Sequence, residues 1–302
     1  MATIALTSFC VQANDNVIKL IVPFGVGGPT DRLARLIAKD FKDAGRQVVV
    51  ENKPGANGDI ASQFVSSAPV ETTVLLMMGT TLNFASKQDE FQRLHLRPVA
   101  EIGVFPFTMV VPATSELKTL KDWKTKNPKK NYTYSTSGKG SISYLAGTIV
   151  ANKLGKEGID VPYPSIAKQM VDLLAGRIDF AVLQTDFVLP YITSGQLIAI
   201  ASMTEKRHPN LPQVPTFQEQ GISGMTFGAK YFILSNLTTN TEDIQFVQKT
   251  LTRILNDPTT SKPYRDEGAQ ISPGSKALDP IWLRQEVANT ANLLQKYNLK
   301  LN

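Results

Sequence analysis

Residues 18–35, IKLIVPFGVGGPTDRLAR, bring three glycines, two prolines and an acid together where an apolar run gives way to a helical pattern. The run from Ile18 to Val22 meets Pro23. Phe24, Gly25, Gly27 and Gly28 follow, then Pro29, Thr30 and Asp31, with Leu33, Ala34, Leu36 and Ile37 at helical spacing. Glycine allows a tight turn with positive φ and leaves backbone N–H groups uncovered. A helix start carries unpaired N–H donors and the positive end of the dipole. Such a stretch can hold an anion without any charged side chain.

The chemistry of this turn is open at this level. Gly25-Val26-Gly27 fits the start of a dinucleotide fingerprint, and Glu51 stands near the distance of its ribose-binding acid. The third glycine position is Thr30, however, where close helix–strand packing needs glycine. A carboxylate-holding turn and a purely structural turn are the other readings. A second turn lies at 132–147, YTYSTSGKGSISYLAG, with Ser137, Gly138, Lys139, Gly140 and Ser141 between a strand-like run and a helix. It is not a Walker loop, because Gly140 follows Lys139. It is not a nucleophile elbow either, because Ser141 lacks the Gly-x-Ser-x-Gly frame. Two facing helix starts would clamp an anion, and Lys139 could add a direct charge.

The rest of the chain must position these turns. Strand-like runs occur at 47–51, 74–78, 108–111, 132–135, 179–183 and 197–202. Helical patterns occur at 29–44, 57–67, 120–126, 141–154, 166–175, 186–193, 241–256 and 280–296. This alternation predicts α/β layers with mostly parallel sheets. Sites in such folds lie beyond the carboxyl ends of strands. That rule selects residues 24–31, then 79–83 with Thr80, Thr81 and Asn83, then 137–141, then Gln184 and Asp186.

With 302 residues, 42% of them hydrophobic, the chain can bury a large core in about two lobes. Its net charge of +6 is dispersed. The cluster KTKNPKK at 124–130 has no interleaved aromatics and reads as a solvated connection, not a nucleic-acid patch. Residues 2–13 are small and apolar, and Val11-Gln12-Ala13 resembles a signal cleavage site without its basic leader. The expectation is a secreted chain whose true signal begins upstream of Met1. Cys10 is the only cysteine, so cleavage after Ala13 would leave no thiol or disulfide chemistry. His95 and His208 have no acidic partner at metal spacing.

Five ordered segments resemble the Bug family, the periplasmic substrate-binding receptors of tripartite tricarboxylate transporters. They are Ile21-Val22-Pro23-Phe24 with Gly27-Gly28, Asp31 and Ala34-Arg35; VVVENKPG at 48–55 with Gly58 and Ile60; Ser137–Ser141 with Leu145-Ala146-Gly147; Val161-Pro162-Tyr163 with Asp172-Leu173-Leu174-Ala175-Gly176 and Asp179; and Leu211-Pro212, Val214-Pro215-Thr216, Glu219 and Gly221. The resemblance implies a type II periplasmic binding fold with two crossovers. Lobe one would be 14–110 plus 228–302, lobe two 111–227, and 1–13 a residual signal or tail. It implies capture of a small mono- or dicarboxylate between the lobes, on the two turns described. It implies delivery to membrane transporter subunits, or alternatively to a sensor kinase, by a monomer without enzymatic activity or cofactor.

The departures fall near the site. Val26 replaces the family proline before Gly-Gly, Tyr144 replaces the histidine of HLAG, and Pro164-Ser165 replaces a Lys-Gly pair. Lys230 stands where the family commonly has an aromatic. Lys139 or Lys230 is therefore expected to reach the far end of a dicarboxylate. Asp31 is expected to cap the helix and orient the loop, with Arg35 paired to it. Tyr163, Phe24 and Phe227 read as cleft walls or core, and Asp186 as a contact for a ligand amine or hydroxyl, or as an N-cap.

Overall fold

The computed structural model describes residues 17–79, 93–126, 131–271, 280–297 and 299. The expectations at 1–13 and at Thr80, Thr81 and Asn83 lie outside these residues. β1 (Val17–Val22), β2 (Gln47–Asn52) and β3 (Thr73–Gly79) form a parallel set with β1 in the middle. α1 (Pro29–Asp43) and α2 (Asp59–Ser66) make the crossovers. α1 buries Leu33, Ala34, Ile37 and Phe41, one stripe of its surface, against this sheet.

β4 (Leu96–Pro112) is the strand that joins the two halves. Its residues 96–106 pair with β9 (Gly228–Asn236), and its residues 107–112 pair with β7 (Phe180–Gln184) and β8 (Leu197–Ser202). The sequence reading found only 108–111 of it, because Pro98, Glu101 and Gly103 break the apolar run. The ladder absorbs them by register shifts between Pro98 and Ala100 and between Glu101 and Gly103, as bulges do. The second half adds α3 (Leu120–Thr125), β5 (Asn131–Thr136), α4 (Ile142–Lys153), β6 (Glu157–Pro162), α5 (Ile166–Leu174) and α6 (Thr185–Thr193). α7 (Thr241–Asn256), α8 (Lys262–Asp266) and α9 (Pro280–Lys296) follow β9.

The strand order is β2-β1-β3-β9-β4-β7-β5-β6, with β8 also on β4. The expectation of mostly parallel sheets needs correction. Among the described residues four pairs are parallel and four, all involving β4 or β9, are antiparallel. The reason is geometric. β4 enters the second half past the carboxyl ends of β7 and β8, so it must run against them. β9 returns past the carboxyl end of β3 and must run against it.

One continuous apolar cluster runs from Ile37 and Phe41 through Phe105, Phe107 and Met109 to Leu145 and Ile149. Smaller clusters cover the opposite faces: Ile21, Leu76 and Phe232 under α2 and α9, and Val110, Leu173 and Leu183 under α5 and α6. Two glycines are fixed by close approach. A Cβ on Gly147 would lie 2.2 Å from the Tyr134 ring, which accounts for the glycine of the LAG segment. A Cβ on Gly228 would lie 2.4 Å from the Phe105 carbonyl oxygen, where the two crossing strands touch.

Candidate functional site

The turn after β1 is locked by Asp31. Its carboxylate accepts from the Gly27 N–H at 2.9 Å, from Arg35 Nε and Nη2 at 3.0 and 3.1 Å, and from Asn52 Nδ2 at 3.0 Å. Asn52 also donates to the Phe24 carbonyl at 3.0 Å. Burial alone would raise the Asp31 carboxyl, but the bonds from Arg35, Gly27 and Asn52 outweigh it and hold the group below its usual range. The orienting role and the Arg35 pair are present. The helix cap is Gly28, with no side-chain bond, so Asp31 is not the cap. Asn52, which the sequence offers only as part of the VVVENKPG segment, bridges the Phe24 carbonyl and Asp31. Phe24 and Val26 are exposed on this turn.

The turn before α4 is also cross-braced. Ser141 caps the helix by accepting from the Tyr144 N–H at 3.2 Å, and its hydroxyl donates to the Gly138 carbonyl at 2.7 Å. The Ser137 N–H is taken by the Ser143 hydroxyl at 3.3 Å and the Gly138 N–H by Thr136 Oγ1 at 3.0 Å. Buried Gln169 donates to the Ser137 hydroxyl at 3.1 Å from behind. The Ser137 and Gly138 N–H groups are thus occupied, and the Ser137 hydroxyl accepts from Gln169. The N–H groups of Ile142 and Ser143, at the first turn of α4, have no acceptor among the described residues. Buried Gly140 completes the turn. Burial raises the Asp160 carboxyl against the opposing Thr136 hydroxyl and Lys139 charge, so Lys139 acts at least in part within this half.

Three other expected contacts lie elsewhere. The Tyr163 hydroxyl donates to Asp172 at 2.7 Å, and its phenol is pushed up to about 12 by burial and that carboxylate. Gln184 Nε2 donates to the Tyr231 hydroxyl at 3.0 Å, and Thr30 shares the same hydroxyl. Asp186 meets Arg32 Nη2 at 3.3 Å, and Arg32 Nε meets Glu267 at 2.8 Å. These residues join α1 and the α8 end to the start of α6. Burial pushes the Asp186 carboxyl up to about 7 against the Arg32 charge.

A cavity of about 740 Å³ lies on the other face of the crossing strands. That size suits a small-molecule site. Val104, Pro106, Gly228 and Lys230 of β4 and β9 line it, with Ile142 of α4, residues 203–207 and Phe227, and Glu286, Asn289, Thr290 and Leu293 of α9. Successive strand residues point to opposite faces. Lys230 therefore points toward the cavity, whereas Tyr231 points toward Thr30 and Gln184. Of the residues read as ligand contacts, Lys230 alone is among the described lining, joined by Phe227 from the possible walls.

Lys230 Nζ donates to Glu286 Oε1 at 2.5 Å. Glu101, whose carboxyl is raised chiefly by burial, lies near both groups and accepts from Trp282. Glu286, Asn289, Thr290 and Leu293 were missed. Their signal is an i, i+3, i+4 spacing of polar groups, Glu286, Asn289 and Thr290, with Leu293 at i+7 on the same helix face. No group of three or more His, Cys, Asp or Glu suited to a metal occurs among the described residues. Buried His208 accepts the Asn210 N–H at 3.2 Å through Nδ1.

Comparison with known proteins matches this architecture. The model of the tripartite tricarboxylate transporter family receptor matches residues 33–299. A UPF0065 protein of Bordetella pertussis is 31% identical, over 77% of this chain and 76% of that protein. BugT of the same organism is 24% identical, over 94% and 90%. The structure of the periplasmic binding protein BugD superposes with a TM-score of 0.81 at 28% identity, covering 94% of this chain and 98% of that one. MatC of Rhodopseudomonas palustris, solved with bound malate, shares the fold at a TM-score of 0.79 and 23% identity, covering 92% and 98%. The chain belongs to the tripartite tricarboxylate transporter receptor family, that of the periplasmic solute-binding Bug proteins.

Proposed function

We propose that the chain captures a small carboxylate between its two lobes, 14–110 with 228–302 and 111–227, and delivers it to a tripartite tricarboxylate-type transporter from the periplasm. The observation that carries this reading is the α4 start. Two N–H groups without acceptors, on Ile142 and Ser143, stand at a helix N-terminus beside a cavity that Ile142 lines. Helix starts favour carboxylates through those donors and the dipole. The Thr30 and Asp31 N–H groups behind the locked turn at 24–28 are likewise without acceptors among the described residues, but Thr30 meets Tyr231 on the face away from that cavity, so this turn is a second helix start and not a wall of the same cavity. Relatives of this fold solved with malate and with adipate support the carboxylate class.

The test is a thermal-shift panel on refolded protein with mono-, di- and tricarboxylates, amino acids and matched neutral amides. Carboxylates should raise the melting temperature and their amides should not. A ligand at 100 times its dissociation constant adds about 2.7 kcal/mol to stability. Shifts with amides alone would overturn the reading. Uptake of the bound carboxylate by cells with and without the gene tests delivery. Unchanged uptake would leave only a sensing role.

A further inference from the structure

The crossing strands carry the cavity on one face and an ionic cluster on the other. Val104, Pro106, Gly228 and Lys230 line the cavity. By alternation Phe105 and Tyr231, whose rings meet edge-on at 4.8 Å, face away from it. On that second face Arg32 of α1 pairs with Asp186 of α6 at 3.3 Å and with Glu267 at 2.8 Å, and its guanidinium lies 5.8 Å over the Phe187 ring. Gly268 packs directly on Asp186, since a Cβ there would lie 2.7 Å from the Asp186 Cβ. The Asp186 side chain is only 5% exposed, and its Oδ1 has no hydrogen-bond partner among the described residues. The ionisable groups facing it are Arg32 from α1, Glu267 from the turn after α8 and the Tyr231 phenol from β9. One short segment joins this cluster to the cavity. Two residues past Gly268, the Gln270 N–H donates to the Val104 carbonyl at 2.8 Å, the Val104 N–H donates back at 3.2 Å, and Gln270 lines the cavity.

Two strands crossing between two lobes make a hinge, and a turn about them that narrows one face widens the other. We infer that the Arg32–Asp186–Glu267 cluster is a latch on the back of this hinge, which holds the cavity open and gives way when the lobes close on a ligand. The inference rests on the proposal that the ligand is captured between the lobes at the α4 start. The latch is linked to protons. The latched form buries the Asp186 carboxyl with one oxygen unpartnered, which favours its protonated state, against the Arg32 charge. Release returns the group to water, where it gives up the proton. Acid therefore favours the latched, open form, and ligand affinity rises as pH rises toward and through neutrality.

Calorimetric titration with malate, adipate and hexanoate tests it. Arg32→Met breaks the latch and should tighten every probe that binds by the same factor, at least ~3-fold, because apparent affinity follows the population of the competent form. Asp186→Asn keeps the shape and an acceptor for Arg32 and mimics the protonated latch. It should weaken the same probes ~10-fold at about pH 8 and flatten the change between about pH 5 and pH 8 seen in the parent. Residues that only support the fold would move affinity in one direction; the latch moves it in two. Unchanged or weaker binding by Arg32→Met overturns the inference while the carboxylate reading stands. A ligand-free measurement separates the two further. Spin labels on Lys42→Cys in α1 and Lys153→Cys at the end of α4, both exposed, in a Cys10→Ser background, report the distance between the lobes. Arg32→Met should shift that distance with no ligand present. If no probe binds the parent, the carboxylate reading fails for these acids and the distance decides the latch: an unchanged distribution overturns it.

Discussion

Arg32 reaches Asp186 at 3.3 Å through Nη2 and Glu267 at 2.8 Å through Nε, so one guanidinium ties α1 to the start of α6 and to the turn after α8. The contact joins the two halves of the sheet on the face opposite the cavity. Asp186 is buried there, and its carboxyl is pushed up to about 7, mainly by burial. An unfolded aspartate titrates near ~3.9. The folded state therefore holds the proton more tightly. The contribution of this group to stability is full below about pH 4 and is lost as pH rises through about 7. Asp186→Asn should remove that slope, gaining on the order of 2 kcal/mol relative to the parent between about pH 5 and pH 8. Urea unfolding at the two pH values measures it; parallel pH profiles would contradict the assignment.

Asp31 behaves oppositely. Its folded value lies below the ordinary one, so its contribution is present above about pH 4 and is lost as pH falls through the folded value. Asp31→Asn should cost about 2 kcal/mol at neutral pH and almost nothing in strong acid, since three donors lose a charged acceptor. Chemical unfolding at neutral and acid pH checks this. A cost that persists unchanged in acid would show that the charge is not what holds the turn.

Asn52 bridges the Asp31 carboxylate and the Phe24 carbonyl. Asn52→Ala should cost about 1 kcal/mol of stability, because the turn loses the bridge between its carbonyl and Asp31. Urea unfolding against the parent gives the answer, and an unchanged midpoint would show that this bridge does not hold the turn.

The crossing of β4 and β9 leaves no room for a side chain at Gly228. Gly228→Ala should destabilise by roughly 2–4 kcal/mol, because the obstacle is the Phe105 carbonyl and backbone must shift. A midpoint in urea equal to that of the parent would refute the close approach.

Local pattern carried much of the fold. The turns at 24–28 and 137–141, and each predicted helix, lie where the glycine, proline and apolar spacing placed them. β9 and most of β4 were not legible, because proline, glycine and charged residues interrupt them and only long-range pairing restores the strand. β6 is an edge strand with few buried positions, so it lacks the alternating pattern. The rule that sites lie past strand carboxyl ends found Gln184, Asp186 and Thr30, yet Gln184 and Thr30 meet at the Tyr231 hydroxyl and Asp186 meets Arg32, on one face of the crossing strands. Which face holds the cavity depends on the side-chain alternation at Lys230 and Tyr231, which requires the register with Val104 and Gly103. Glu286 comes from a helix distant in sequence and belongs to no motif.

The central claim is that the backbone at the start of α4 takes the ligand carboxylate. Ile142 occupies the first helical position after the Ser141 cap, where proline is well tolerated and removes only the N–H. Titration calorimetry of a binding carboxylate with Ile142→Pro and Ile142→Ala, which lose the same cavity-lining side chain, isolates that donor. Weakening of Ile142→Pro by about tenfold relative to Ile142→Ala, with both folded, is the expected result. Equal affinities of the two variants would contradict it.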